Sequence, residues 1–230
     1  PAIKSMDKRM YSKYGDWAMS GNNAMTPQYN TKLVPAAEAP RKWEDLFNPK
    51  WKGQIGMTTD MKVWTTVAIE EGGWGIERTG DFLTKIKQQQ PMWTPGHTAG
   101  HNLLIAGEFK VLCEDQWYHV RASREKGAPV EWVRVDPVPI TGSSFTFVRN
   151  APHPNAARLF LEWQFSPPGL ITFEAVTGKG AAFPGSGTRL TKALEGLNLI
   201  YRTEEGIIKA GEMNLEKKFA DILGVTPGGD

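Results

Sequence analysis

Cysteine is nearly absent from this chain, which has 230 residues and a single thiol at Cys113. One cysteine excludes an internal disulfide and any metal site built from several thiolates. Cys113 lies in the short apolar run 109–113, where a cysteine is most often a small core residue. The neighbouring carboxylate of Glu114 disfavours the thiolate, so the sequence predicts a structural cysteine rather than a reactive one.

The chain also lacks an initiating methionine, a signal peptide and any apolar run long enough to cross a bilayer. Its first residues read as the middle of a surface segment, and we expect an N-terminal portion to be missing. An excess of one charge is absent too, since 27 Lys and Arg stand against 25 Asp and Glu. A net charge of +2 with dispersed basic residues argues against a nucleic-acid partner.

What is present indicates a folded α/β protein, since 40% of the residues are hydrophobic and 23% are charged. Short β-branched or aromatic runs alternate with amphipathic stretches that begin at polar residues and stop at glycine. This alternation predicts one sheet with helices on its faces. The predicted strands are 54–58, 91–94, 109–113 and 130–135, and the predicted helices begin near Thr59 or Asp60, Thr79, Thr98 and Trp117.

Two extended segments, 27–34 and 143–148, bracket this block and predict two crossings between lobes. The expected division is 1–36 as the remnant of a first lobe with one crossing, 37–141 as an inserted α/β lobe, and 142–230 as the return crossing with C-terminal helices packing on both lobes. Residues 1–26 are expected to be irregular, 136–141 a stiff linker, and 204–223 one helix. A cleft between lobes is a common ligand site.

The stretch 107–127 changes from strand-like to helix-like at its most polar and aromatic point. Gln116, Trp117 and Tyr118 follow the strand, and ligands bind at the carboxyl ends of strands in open α/β sheets. We therefore predict that these three residues contact a ligand, with both rings facing a gap between the lobes. The alternative is that the two rings are core aromatics.

Two other strand-to-helix junctions are candidate ligand sites. Thr59, Asp60 and Lys62 stand where free backbone N–H groups and the helix dipole attract an anion, although Thr59 or Asp60 alone would also explain a helix cap. Thr98 opens the next helix and is predicted to orient the ligand from the second junction. Its alternative role is likewise capping.

Histidines four residues apart, His97 and His101, suggest a function of another class. With Glu114 they would form the site of a metal-dependent hydrolase, although the glutamate of a zinc-protease motif is missing between them. A third reading is an interaction module or a fragment without activity. Zinc that is lost on replacing His97 would favour the enzyme.

Five segments in order resemble a known family: YNTKLVPAAEAPRKWEDLFNPKWKGQIGM from Tyr29, the helix after Asp60, the strand into the Trp117–Tyr118 pair, GAPVEWV, and NAPHPNAARLFLEWQFSPPG. They look like bacterial extracellular solute-binding proteins of ABC importers, of the ferric-iron-binding type. The resemblance implies a type II periplasmic-binding-protein fold, with two lobes joined by hinge strands and a first lobe that is incomplete here.

The resemblance also implies a function. The chain would be a non-enzymatic, monomeric, periplasmic or membrane-tethered subunit that captures a small polar or anionic solute, without a cofactor, for an inner-membrane permease. Iron-binding members use two adjacent tyrosines that match Trp117 and Tyr118. An indole nitrogen only donates hydrogen bonds, so Tyr118 is the one expected metal ligand if ferric iron is the cargo. Organic anions, phosphonates and thiamine-like molecules are the other expected cargoes.

Overall fold

The computed structural model describes residues 6–228 and has one mixed β-sheet at its centre. Within that range seven strands lie in the order β3-β2-β4-β1-β6-β7, with β5 paired to β1. The strands are β1 Trp17–Asn30, β2 Ile55–Thr58, β3 Met92–Thr94, β4 Val111–Gln116, β5 Val130–Trp132, β6 Val138–Thr146 and β7 Leu199–Tyr201.

Helices cover the sheet and alternate with its parallel strands, as the sequence predicts. They are α1 Lys62–Ile69, α2 Ile76–Gln88, α3 His97–Ala106, α4 Trp117–Arg124, α5 Pro154–Gln164, α6 Pro167–Thr177, α7 Arg189–Ala193, α8 Glu204–Glu212 and α9 Leu215–Leu223. The single helix expected over 204–223 is wrong, because Asn214 adopts a left-handed conformation with φ of 52° and separates α8 from α9. No helix within the described residues is long and apolar enough to cross a membrane.

The long strand β1 joins both halves of the sheet. It pairs antiparallel with β4 and β5 through its second half and with β6 through its first half. The expectation of an irregular segment up to residue 26 is therefore wrong from Trp17 onward. Serine, glycine and asparagine disfavour a strand on propensity alone, but pairing and burial on the sheet outweigh that preference.

The strand β6 begins earlier than the sequence indicates. Residues 138–140 pair in parallel with β7, although 136–141 reads as a proline-stiffened linker. Proline is tolerated near the start of a strand, where Pro139 lies. The return crossing is thus one continuous strand that lies beside β1 over most of its length.

Aromatic residues build the largest core, which lies under β2, β4, α1 and α2. Trp43 and Trp64 are fully buried and meet edge to face with ring centroids 5.8 Å apart. Phe82 stacks on Trp64 at 5.2 Å. Trp64 is therefore a packing residue on the apolar face of α1. Cys113 belongs to the same core, and burial raises the pKa of its thiol well above the ordinary value, which confirms a structural cysteine.

A second core lies around β6, α6 and α7 and includes Trp117, Ile140 and Phe165. The last helix, α9, packs in the first core through Leu215 and Phe219. The boundaries at residues 36 and 141 stay a prediction, and β1 pairs with strands of both halves of the sheet.

Gly56 in β2 shows how tightly the sheet is packed. A Cβ at this position would lie 2.2 Å from the ring of Phe109. We expect Gly56→Ala to lower the free energy of unfolding by about 1–3 kcal/mol, because the ring has to move out of a filled core. Urea denaturation measures the change.

Gly80 in α2 provides the matched control. Its added Cβ would meet only Ile222, at an ordinary 3.5 Å. We expect Gly80→Ala to raise stability by about 0.5–1 kcal/mol, since alanine restricts the unfolded chain and favours the helix. Equal effects of the two substitutions would contradict this account of the packing at Gly56.

Candidate functional site

A cleft of about 580 Å³ lies where the two halves of the sheet meet. One wall comes from the residues that open α1 and α3 and from the end of β4. The other wall comes from β1, β6 and the start of α8. Its polar lining includes Asn23, Asp60, Lys62, His97, Gln116 and Arg202.

Helix N-termini converge on this cleft. Lys62 opens α1, His97 opens α3 and Glu204 opens α8, and all three line the cleft. Gln116, the residue before α4, lines it as well. The helix dipoles at these ends make the cleft favourable for negative charge.

Asp60 holds together the wall at the start of α1. Its carboxylate accepts the backbone N–H of Lys62 at 2.9 Å and the side-chain amine of Lys62 at 3.3 Å. Its Oδ2 lies 3.8 Å from Nε2 of His97. Burial would raise the pKa of Asp60, but the hydrogen bond from His97 and those from Lys62 outweigh burial and lower it. Asp60 therefore acts as a capping carboxylate and an ion-pair partner at once.

His97 is buried at the bottom of the cleft among carboxylates. Burial alone would lower the pKa of its imidazole, but the hydrogen bond to Asp60 and the charges of Glu114 and Asp115 raise that pKa to about 9. His97 accordingly carries a proton at neutral pH. With Lys62 and Arg202, the cleft presents three cationic side chains, each of which has a carboxylate within 4 Å.

The structure brings together three of the seven predicted ligand residues: Asp60, Lys62 and Gln116 line the cleft. Thr59 instead accepts a hydrogen bond from the backbone N–H of Gly228 at 3.0 Å through its carbonyl. Thr98 is exposed on α3 and does not line this cleft. Ligand contact by Thr59 or Thr98 stays a prediction without geometric support.

Trp117 and Tyr118 do not face the cleft as expected. Trp117 is only 7% exposed and packs in the second core. Tyr118 lies against His119, with ring centroids 4.4 Å apart, and against the backbone at Gly178. Because the chain turns from β4 into α4 here, Gln116 points into the cleft and the next two side chains point away. Sequence periodicity does not reveal the direction of that turn.

The hydrolase alternative used His97, His101 and Glu114, but these three do not form the closely spaced group of possible metal ligands. Glu114 is fully buried, accepts the hydroxyl hydrogen of Thr58 at 2.7 Å, and has a pKa that burial raises to about 7. Within the described residues the group with metal-ligand atoms inside 4.8 Å of one another is His101, Asp115 and His119. Sequence reasoning missed both Asp115 and His119. The sequence does show that Asp115 and His119 lie four residues apart at a strand-to-helix junction, and this spacing could have indicated the pair.

The first 137 residues of the chain match a known protein family. A family model described as bacterial extracellular solute-binding protein matches residues 1–137. The chain belongs to this family. A protein of Haemophilus influenzae described as uncharacterized is 25% identical over 141 residues, a match that covers 57% of this chain and 39% of that protein.

Solved structures show that the fold of this family member is that of the type II periplasmic binding proteins. AfuA from Actinobacillus pleuropneumoniae superposes with a TM-score of 0.75 at 20% identity, over 98% of this chain and 75% of AfuA. Ferric iron-binding protein A of Mannheimia haemolytica gives 0.75 at 16% identity, over 97% and 74%. HitA from Pseudomonas aeruginosa gives 0.69 at 18% identity, over 95% and 74%. The α/β class and the two-lobed architecture expected from the sequence are confirmed.

Proposed function

We propose that this family member is the solute-binding subunit of an ABC importer that captures a small anionic organic molecule in the cleft. The observation that carries the proposal is the convergence of helix N-termini and of Lys62, His97 and Arg202 on one cavity. Such an arrangement stabilises a carboxylate or phosphate group. Delivery to an inner-membrane permease follows from the family's role.

The size of the cleft favours an organic ligand over a bare ion. A volume of about 580 Å³ falls in the range of small-molecule sites. Asn23, Gln116 and the hydroxyl groups of β6 supply donors and acceptors for the uncharged part of such a molecule. AfuA was solved with fructose 6-phosphate bound, which is a ligand of this chemical class.

Both walls contribute to binding in this proposal. Lys62 and His97 lie on the wall of α1 and α3, whereas Arg202 precedes α8 on the opposite wall. A ligand that touches both walls binds the closed arrangement more tightly than an open one, and it therefore shifts the population toward closure. The protein would act as a monomer outside the cytoplasm, with no catalytic step.

Ferric iron is the second candidate cargo, because HitA was solved with iron bound and the M. haemolytica relative is a ferric iron-binding protein. Tyr118 is the ligand that the sequence offers for iron, but it lies outside the cleft against His119 and Gly178. Iron binding at Tyr118 therefore requires a rearrangement of the start of α4.

Calorimetry and thermal shift with fructose 6-phosphate, citrate, an alkylphosphonate and ferric chloride test the proposal. We expect an organic anion to bind with micromolar or better affinity and to raise the melting temperature. Stabilisation by ferric chloride alone, lost on Tyr118→Phe, would favour the iron-binding alternative. No stabilisation by any of the four would contradict a binding role for this cleft.

Removing the amine of Lys62 tests whether the cleft itself binds the anion. We expect Lys62→Met to weaken binding of the anion about tenfold, since a charge-assisted hydrogen bond contributes roughly 1.5–3 kcal/mol and the partly exposed amine is partly screened. Calorimetry at low and physiological salt measures the loss. Lys52→Met, at an exposed lysine outside the cleft, is the control and should leave the affinity unchanged.

A further inference from the structure

Behind the cleft wall, Asp115 lies at the centre of a group of histidines, of which His97, 3.6 Å away, lines the cleft whereas His101 and His119 do not. The carboxylate of Asp115 is fully buried. Its Oδ2 is 3.1 Å from Nδ1 of His101, and its Oδ1 is 2.9 Å from Nδ1 of His119. Asp115 therefore joins a histidine of α3 to a histidine of α4.

A fourth residue, Gln28, completes this group. Oε1 of Gln28, on β1, lies 2.9 Å from Nδ1 of His101. The amide of Gln28 is oriented by its own nitrogen, which donates to the backbone carbonyl of Gln116 at 3.1 Å. Two ring nitrogens thus face three oxygens, and one proton on Nδ1 of His101 would be shared between Gln28 and Asp115. A single cation at the centre would satisfy all of these donors at once.

The spacing of these atoms matches zinc coordination. Ligands at about 2.0–2.1 Å from a tetrahedral zinc ion lie roughly 3.3 Å from one another. The separations from His101 Nδ1 to Asp115 and to Gln28, and from His119 Nδ1 to Asp115, are 2.9–3.1 Å and need only a few tenths of an ångström of expansion. The ligand atoms of His101, Asp115 and His119 all lie within 4.8 Å of one another, so the remaining separations contract by at most about 1.5 Å. Two imidazoles with two oxygens form a donor set suited to zinc rather than to calcium or magnesium.

The environment of His101 is also that of a metal ligand. Its other ring nitrogen, Nε2, lies 2.8 Å from Oγ of Ser123. Histidines that bind metals through one nitrogen characteristically donate the other N–H to an oxygen, which fixes the ring and its tautomer. His119 is 12% exposed through its side chain and is the point from which an ion would enter.

We propose that this family member holds a structural zinc ion behind the cleft, bound by Gln28, His101, Asp115 and His119. The ion would connect β1, α3, β4 and α4 at the place where Gln116 enters the cleft. Because the protein fills all four positions, no open position remains for a catalytic water. This zinc site shares His101 with the hydrolase alternative but uses neither His97 nor Glu114.

Zinc titration of the full chain tests the proposal. After treatment with a chelator, we expect one equivalent of zinc to bind on equilibrium dialysis, as measured by elemental analysis. The melting temperature should rise by about 5–10 °C at a hundredfold excess over Kd. Cobalt(II) in place of zinc should give the intense visible absorption of a tetrahedral complex. The absence of stoichiometric zinc from the wild-type chain would overturn the proposal without the use of any variant.

Variants then locate the ion. We expect His119→Gln to weaken zinc binding at least a hundredfold, and Ser123→Ala to weaken it about tenfold, since loss of an outer hydrogen bond typically costs 10–100-fold. Circular dichroism checks that each variant is folded. If His119→Gln is unfolded, Ser123→Ala carries the test, and unchanged zinc affinity in that folded variant would overturn the assignment.

Two control variants separate this site from other positions. His153→Gln replaces an exposed histidine before α5 and should keep one equivalent of zinc. Asp60→Asn removes a carboxylate from the cleft and should keep the zinc as well, while it alters the cleft itself. Loss of zinc in Asp60→Asn with retention in His119→Gln would move the ion into the cleft and overturn the proposal.

Discussion

Trp43→Ala is expected to lower the free energy of unfolding by about 3–5 kcal/mol, the range observed when large aromatic residues are removed from cores. Trp43 is fully buried. Its ring makes edge-to-face contacts with Trp64, Trp74 and Phe82 at centroid distances of 5.8, 5.9 and 6.0 Å. Its Nε1 donates to the carbonyl of Pro137 at 2.9 Å. Replacement by alanine leaves a cavity and also leaves the carbonyl of Pro137 without its donor.

Urea denaturation of Trp43→Ala, Trp43→Phe and Trp163→Ala measures this effect. Trp43→Phe keeps part of the packing but leaves the buried carbonyl of Pro137 without its donor, and we expect a loss of about 1–3 kcal/mol. Trp163 is 44% exposed on α5, and its replacement should cost less than about 1 kcal/mol. Equal losses at positions 43 and 163 would contradict the assignment of the core.

Glu174→Ala is expected to cost about 2–4 kcal/mol for a different reason. The carboxylate of Glu174 is buried and accepts the backbone N–H groups of Arg189 at 2.7 Å and Leu190 at 3.0 Å. These are the first two amides of α7, which have no partner within the helix. Alanine leaves both donors unsatisfied, at roughly 1–3 kcal/mol for each buried group.

The carboxylate of Glu174 also lies against Gly180, in the segment that runs beside β1. Asn22 of β1 donates its backbone N–H to the carbonyl of Gly180, and its side chain accepts the N–H of Ala182, both at 2.7 Å. We therefore expect Glu174→Ala to speed amide exchange at Ala182 as well as to lower stability. Asn22 is adjacent to Asn23, which lines the cleft. We therefore expect Glu174→Ala to loosen the wall of the cleft that contains β1.

Thermal denaturation with two companion variants isolates the contribution of Glu174. Glu174→Gln keeps one acceptor oxygen and should cost less than the alanine variant. Glu212→Ala removes an exposed glutamate from α8 and should change stability by no more than about 0.5 kcal/mol. A loss at Glu174 that is no larger than the loss at Glu212 would show that the amides of α7 find water instead.

Much of the fold follows from local patterns. The α/β alternation, the strand before Thr59 and the helices near Thr79 and Thr98 are all predicted from spacing alone. Each depends on residues within a few positions of one another, where periodicity and helix capping act. The family was also evident, because several such segments occur in a fixed order.

Long-range pairing was less visible. The first half of β1 reads as irregular because serine, glycine and asparagine have low strand propensity, yet it pairs with residues more than one hundred positions away in β6. The break between α8 and α9 depends on one residue, Asn214, in a left-handed conformation. Neither feature leaves a periodic signal in the sequence.

The sequence by itself determined the class, the family and the segments from which a binding site is built. It placed Asp60, Lys62 and Gln116 at ends of strands and helices, where ligand contact is favoured. The tertiary structure alone decided which side chains face the cleft. It buried the side chain of Trp117 in the second core and brought Asp115 together with His101 and His119. Side-chain direction at a strand-to-helix turn depends on what packs against both elements, and distant parts of the chain supply those contacts.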